Sequence, residues 1–80
     1  MTDKLHHLRF AIADALLLNE KDVTETDSFL GLGGDSLAAI YVIEELERLG
    51  LAIDPPELLK DQSLRSLSER LTPLAATSFL

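Results

Sequence analysis

The spacing of its apolar residues constrains this chain most. They recur three and four positions apart, as in amphipathic helices, and no stretch alternates for long enough to predict a strand. The first helix has its apolar stripe at Leu5, Leu8, Ile12 and Leu16. We expect Thr2 or Asp3 to cap the start of this helix and Asn19 to close it.

A long connection follows the first helix. Residues 20–34 are rich in Asp, Thr, Ser and Gly, and we expect Val23, Phe29 and Leu30 to hold this segment against the core. A loop of this length is uncommon in a small domain and is usually functional.

The second helix is predicted from Ser36 to Leu49, with Gly50 at the position where glycine commonly ends a helix. At ~100° per residue, one arc of about 120° holds enough apolar side chains to face a core. Its members are Ala39, Val42, Ile43, Leu46 and Leu49.

Leu37, Ile40 and Tyr41 fall outside that arc and are interleaved with acids such as Glu44. Apolar side chains beside a core stripe and among acids indicate a protein-docking patch. The alternative is that this helix is buried on two sides, so that the same residues belong to the core.

The last third of the chain predicts two more helices. Asp54-Pro55-Pro56-Glu57 is typical of a helix start, with aspartate as the cap and proline in the first turn, and a short helix with Leu58 and Leu59 follows. Ser63 is expected to cap a final helix that Pro73 stops. Its apolar side carries Leu64, Leu67 and Leu71.

These segments predict an all-α fold, a small four-helix bundle with three longer helices and one short helix. Since 80 residues have room for one domain, residues 1–80 are expected to form a single unit. Its ordered core is predicted at about residues 3–72, with a tail at 73–80.

Charge is concentrated in the middle of the chain. The sequence has 14 acidic and 7 basic residues and a net charge of −7. Residues 20–47 hold eight acids and one base, whereas the parts before and after are each neutral. This acidity argues against nucleic acid or an anionic membrane as the partner and favours a partner with a basic face. The alternative is a solvated surface that only keeps the protein in solution.

Several site classes are excluded or disfavoured. The chain has no cysteine, which rules out disulfides, thiolate metal sites and a cysteine nucleophile. His6 and His7 are adjacent, so they point to different sides of a helix, and we predict no metal site. No apolar run approaches the ~20 residues of a membrane span, and Met1 to Phe10 lacks an apolar signal core. We therefore expect a cytoplasmic location. We also expect a monomer, and Met1 and the lack of a linker favour a free-standing protein.

The most informative stretch is Gly33-Gly34-Asp35-Ser36-Leu37. A glycine pair frees the backbone just before a helix, and Asp35 and Ser36 stand at the helix N-terminus, where unpaired N–H groups and the dipole favour an anion such as a phosphate ester. The glycines also leave room for the active site of another protein to reach the Ser36 hydroxyl. The alternative is that Asp35 or Ser36 only caps the helix.

This stretch resembles the attachment site of acyl and peptidyl carrier proteins, whose mark is Asp-Ser-Leu at the start of the second helix. The longer run Leu32-Gly33-Gly34-Asp35-Ser36-Leu37 is more similar to the peptidyl and aryl carriers of nonribosomal synthesis than to the fatty-acid type. Nearly the whole chain follows the family order. Peptidyl carriers often have Phe at the position of Leu59 and Pro-Thr at Gln62-Ser63, and the acid-rich Glu44-Glu45-Glu47 is more like a free-standing carrier.

The resemblance implies a bundle of the acyl-carrier type with 4′-phosphopantetheine, taken from coenzyme A, bound covalently to Ser36. The cofactor's thiol would hold an acyl or aminoacyl group as a thioester for secondary-metabolite or nonribosomal peptide biosynthesis. The protein would not be an enzyme, and no catalytic residue is implied. The implied partners are a phosphopantetheinyl transferase, a loading adenylation enzyme or ligase, and a downstream enzyme that accepts the acyl group. The expected contact residues are Asp35, Leu37, Ile40, Tyr41 and Glu44.

Three other interpretations compete with this one. Gly34-Asp35-Ser36-Leu37 also matches the signature of a serine esterase family, but the chain is too short and has no Asp three residues before either histidine. A cofactor-free, acidic helical interaction module would share the fold and the docking patch. A fatty-acid or polyketide acyl carrier would share the serine.

Overall fold

The computed structural model describes residues 4–74. It contains four α-helices, which confirms the predicted helical bundle. Helices α1 and α2 have 13 residues each, whereas α3 and α4 have 4 and 5, so there are two longer helices rather than three. In chain order the elements are α1 (Lys4–Leu16), a 3₁₀ helix (Glu20–Asp22), α2 (Ser36–Arg48), β1 (Leu51–Ala52), α3 (Pro55–Leu58), α4 (Leu64–Ser68) and β2 (Thr72–Pro73).

The core lies where α1 packs against α2 and α4. Most of the predicted apolar stripes are confirmed, since their central residues are fully buried. These residues are Leu8 and Ile12 on α1, Val42 and Leu46 on α2, and Leu64 and Leu67 on α4. Val23 and Phe29 from the long loop are also fully buried, so the loop contributes to the core that supports it.

Two predicted core residues are exposed instead. Leu30 is 42% exposed because the neighbouring Phe29 takes the core position and the chain turns immediately afterwards. Leu49 is 38% exposed, since it follows the last turn of α2 and the chain reverses direction at Gly50. Ile43 is half-buried against the core.

The two long helices end in the left-handed region of backbone space. Gly50, at φ 83°, ends α2 as predicted. Helix α1 is closed by Leu17 at φ 59° and not by Asn19. The Leu18 N–H donates to the Ala13 carbonyl at 2.9 Å, the hydrogen bond expected at such a helix end. Asn19 instead precedes the 3₁₀ helix, and the predicted caps Thr2 and Asp3 lie outside the described residues.

A small antiparallel sheet was not predicted. Leu51 pairs with Pro73 and Ala52 with Thr72, and two residues per strand are too few to show an alternating pattern. Pro73 therefore lies in an edge strand, where its missing N–H is tolerated, and does not stop a helix. The last helix has already ended at Ser68, although Leu71 beyond it is still buried.

The starts of α3 and α4 differ. Ser63 caps α4 as predicted, because its Oγ accepts the Ser66 N–H at 3.2 Å. Asp54 occupies the cap position of α3, but its side chain makes no capping hydrogen bond. Within residues 4–74, no helix is long and apolar enough to cross a membrane.

Candidate functional site at the start of α2

The long loop is tied to α1 by Arg9. Its guanidinium donates to the main-chain carbonyls of Glu20 and Val23 at the beginning of the loop. A guanidinium that satisfies two carbonyls at once fixes their relative position. Nothing in the sequence singles out Arg9, because a lone basic residue on a helix carries no signal for such a contact.

The middle of the loop is tied to the first turn of α4. The N–H groups of Leu64 and Arg65 donate to the carbonyls of Asp27 and Glu25 at 2.8 and 3.0 Å. These are first-turn N–H groups, which have no acceptor within their own helix. The Arg65 guanidinium also pairs with the Glu25 carboxylate. These contacts with α1 and α4 fix the course of the loop before it reaches α2.

The loop ends in tight turns just before α2. The Gly33 N–H donates to the Leu30 carbonyl at 3.0 Å, and the Gly34 N–H donates to the Phe29 carbonyl at 2.9 Å. Gly33 has φ +100°, a conformation that favours glycine. Its surroundings are open, as predicted for both glycines. Gly34, however, lies directly against the Phe29 ring of this same chain.

Asp35 and Ser36 divide the roles at the start of α2. Asp35 is the cap, and its Oδ1 accepts the Ala38 N–H at 2.9 Å. Ser36 is the first residue of the helix and is exposed. Among residues 4–74 its hydroxyl has no hydrogen-bond partner. The capping alternative therefore holds for Asp35 and not for Ser36.

The outer face of α2 carries the apolar residues that the core does not use. Leu37, Ile40 and Tyr41 are 61%, 53% and 55% exposed, so α2 is not buried on two sides. Glu44 is exposed on the same helix. These three apolar residues and Glu44 form the α2 face. It begins at the residue after Ser36.

The histidines form no metal site in the described part of the chain. His6 Nδ1 lies 3.5 Å from Oε2 of Glu20, the His6 and His7 rings are 6.1 Å apart, and residues 4–74 contain no cluster of three or more metal-ligating side chains. Elsewhere, hydrogen bonding from Lys60 lowers the pKa of the partly exposed Glu57 carboxyl. Glu57 lies in α3, so this pKa shift does not affect the start of α2.

The residues around Ser36 suit a bulky phosphate ester. The hydroxyl is exposed and unused, and the nearby Gly33 also borders open space, since a Cβ built there would meet no described atom within 4 Å. Unpaired N–H groups in the first turn of a helix favour an anion at this end.

The sequence and the fold both resemble known carriers. A family model described as "Phosphopantetheine attachment site" matches residues 6–71. Nonribosomal peptide synthetase 32 of Fusarium pseudograminearum is 38% identical over 60 residues, and nonribosomal peptide synthetase cm3A of Cordyceps militaris is 34% identical over 70 residues. The two matches cover 75% and 86% of this chain, but only 1% and 2% of those much longer proteins.

A solved structure has the same fold. The structure titled "Non Ribosomal PCP domain" superposes with a TM-score of 0.78, and the match covers 92% of this chain and 95% of that one at 20% identity. The structural match shows the fold, and the family match over residues 6–71 shows that the chain belongs to the phosphopantetheine attachment site family, whose cofactor is covalently bound 4′-phosphopantetheine.

Proposed function

We propose that this protein is a carrier in nonribosomal peptide biosynthesis and that Ser36 is its cofactor attachment residue. The observation that carries the proposal is the exposed Ser36 hydroxyl, which is left unused because Asp35 caps α2. The bound cofactor supplies a thiol, which this cysteine-free chain lacks, to hold an acyl or aminoacyl group as a thioester. In this proposal the chain is not an enzyme, and Ser36 contributes only the anchoring oxygen.

The α2 face is proposed as the surface that partners contact. Leu37, Ile40 and Tyr41 offer exposed apolar area, and Glu44 adds a negative charge that would steer a basic partner. The proposed partners are a phosphopantetheinyl transferase, a loading adenylation enzyme or ligase, and a downstream acyl-accepting enzyme. Because several partners must use one face in turn, each interface is expected to be small and short-lived.

Asp35 is proposed to contact the transferase. Its cap hydrogen bond holds the carboxylate beside Ser36, with Oδ1 at 2.9 Å from the Ala38 nitrogen. A fixed negative charge next to the accepting hydroxyl suits a metal ion or a basic residue in the transferase.

Further parts of the proposal rest on the sequence. We propose one carrier domain over residues 1–80 that acts as a cytoplasmic monomer. The sequence predicts its ordered core at about residues 3–72 and its tail at 73–80, but Pro73 pairs with Leu51 in β2 and so belongs to the fold, and residues 75–80 lie outside the described residues. The family match over residues 6–71 supports the core. The relatives reported above are named as nonribosomal peptide synthetases, which favours an aminoacyl or related acid over a fatty-acid chain as the cargo.

The test is modification by a broad-specificity phosphopantetheinyl transferase in the presence of coenzyme A. We expect the intact mass to rise by one phosphopantetheinyl group, and fragmentation to place the added mass on the peptide that contains Ser36. Ser36→Ala should abolish the gain. Thr26→Ala is the matched control, because Thr26 is an exposed hydroxyl residue on the loop that leads to Ser36 and its removal should leave the gain intact.

Three results would count against parts of the proposal. No mass gain under conditions that modify an unrelated carrier would favour the cofactor-free interaction module. A gain that persists in Ser36→Ala would assign the attachment to another residue. Once the cofactor is attached, loading with fatty acids but not with amino acids would favour the fatty-acid or polyketide type of carrier.

A further inference from the structure

The two adjacent glycines before Ser36 serve different physical purposes. Gly33 has φ +100°, and a Cβ there would meet no described atom within 4 Å, so its requirement is conformational. At Gly34 the requirement is space. A Cβ on Gly34 would overlap Cε2 and Cζ of Phe29 and would lie 2.6 Å from Cδ2 of the same ring.

The Phe29 ring cannot easily move out of the way. Its side chain is fully buried in the core, and packed interiors have few voids into which a ring could turn. The Gly34 N–H also donates to the carbonyl of Phe29 at 2.9 Å. Backbone and ring therefore hold Gly34 at a fixed height above the core.

Only one residue separates this fixed point from Ser36. Asp35 is extended, at φ −138° and ψ −173°, and its side chain is engaged with the Ala38 N–H. The position of Ser36 is thus set from the loop side by Gly34 and from the helix side by the cap. A displacement of Gly34 would therefore also displace Ser36.

We infer that the contact between the Gly34 backbone and the Phe29 ring positions the Ser36 hydroxyl for modification. Phe29 and Gly34 are positioning residues: they touch neither coenzyme A nor the transferred group, and they act through the start of α2. The inference rests on the proposed function of Ser36 and adds residues that set how fast that serine is modified. The buried Phe29 ring limits how closely the Gly34 backbone can approach the core, and so fixes the end of the loop.

The test compares transferase kinetics at saturating coenzyme A for five variants and the wild-type protein. A Cβ at position 34 must displace the backbone by about 1 Å to reach ordinary contact distance, and a misplacement of that size can lower kcat by about tenfold or more. We expect Gly34→Ala to lower kcat with little change in the KM for the carrier protein, since the α2 face still binds the transferase.

A double variant separates positioning from general damage. Phe29→Leu removes the ring edge, so Phe29→Leu/Gly34→Ala has room for the new methyl group and should recover the kcat of Phe29→Leu alone. Gly33→Ala is the matched control, because its strain comes from φ +100° and not from the ring. Phe29→Leu should not rescue Gly33→Ala.

Each outcome has a defined meaning. If the wild-type protein is not modified, the proposed function fails. If it is modified and Gly34→Ala keeps its kcat, or raises only KM, the inference is overturned while the proposed function stands. Purely additive losses in the double variant also overturn it. Should Gly34→Ala not fold by circular dichroism, Phe29→Leu decides: it removes the ring, so a lower kcat at unchanged KM supports the inference and a wild-type kcat overturns it.

Discussion

A serine lies at the start of both α2 and α4, but the two hydroxyls have different roles. At α4, Ser63 is the cap, and its Oγ accepts the Ser66 N–H at 3.2 Å. The residue is half-buried, and its backbone pairs with that of Ser28 in an isolated β-bridge. At α2, Asp35 is the cap and Ser36 follows it as the first helical residue, exposed at the surface. The comparison teaches that a serine at a helix start becomes available for chemistry when the preceding residue takes over the capping.

The strongest test of this comparison removes each hydroxyl in turn. Ser36→Ala should abolish phosphopantetheinylation and leave the unfolding free energy nearly unchanged. Ser63→Ala should keep the modification and cost about 1 kcal/mol of stability, the usual price of losing a cap. For a domain of this size that loss corresponds to a melting temperature roughly 4–8 °C lower. Mass spectrometry and thermal melts check both halves, and a Ser36→Ala variant as destabilised as Ser63→Ala would mean that Ser36 also stabilises the helix.

A smaller effect is expected from removing the cap that leaves Ser36 available. Asp35→Ala should lower the unfolding free energy by about 1 kcal/mol, because the Ala38 N–H loses its acceptor. Asp54→Ala is the control, since Asp54 has the same position at α3 without a side-chain hydrogen bond and should change stability by less than about 0.5 kcal/mol. Urea unfolding measures both, and equal losses would contradict the assigned capping role.

The smallest effect concerns which helix the partners approach. Glu44→Lys should slow modification about two- to threefold at low salt, because it replaces an attractive charge on the α2 face with a repulsive one. Glu69→Lys, exposed at the end of α4, changes the net charge equally and should leave the rate unaltered. Transfer rates at low and high salt provide the measurement, and the difference should disappear as salt screens the charges. Equal slowing by both variants would indicate that net charge alone matters.

Much of this fold could be predicted because its signals are local. The end of α2 at Gly50 and the cap of α4 at Ser63 depend on residues within one or two turns, and both are confirmed. Features that depend on tertiary contacts could not be predicted. Phe29 and Leu30 are adjacent and both apolar, but only the loop's turns decide that Phe29 is buried and Leu30 exposed.

The site was predictable in part for the same reason. Asp35 next to Ser36 is visible in the sequence, and so is the apolar surplus of α2 at Leu37, Ile40 and Tyr41, whose exposure the structure shows. The sequence does not reveal which of two neighbouring residues caps the helix. Nor does it reveal that Gly34 lies against a ring five positions earlier, because that contact exists only once the loop has folded.

Leu17 has a practical consequence for studying this protein. It closes α1 at φ 59°, where a side chain is strained, and because it is 91% exposed that side chain contributes almost no burial in return. Leu17→Gly should therefore relieve the strain and raise the melting temperature. A chain stabilised in this way would be a more tolerant background for substitutions that disturb the loop, so that their kinetic effects can be measured on folded protein.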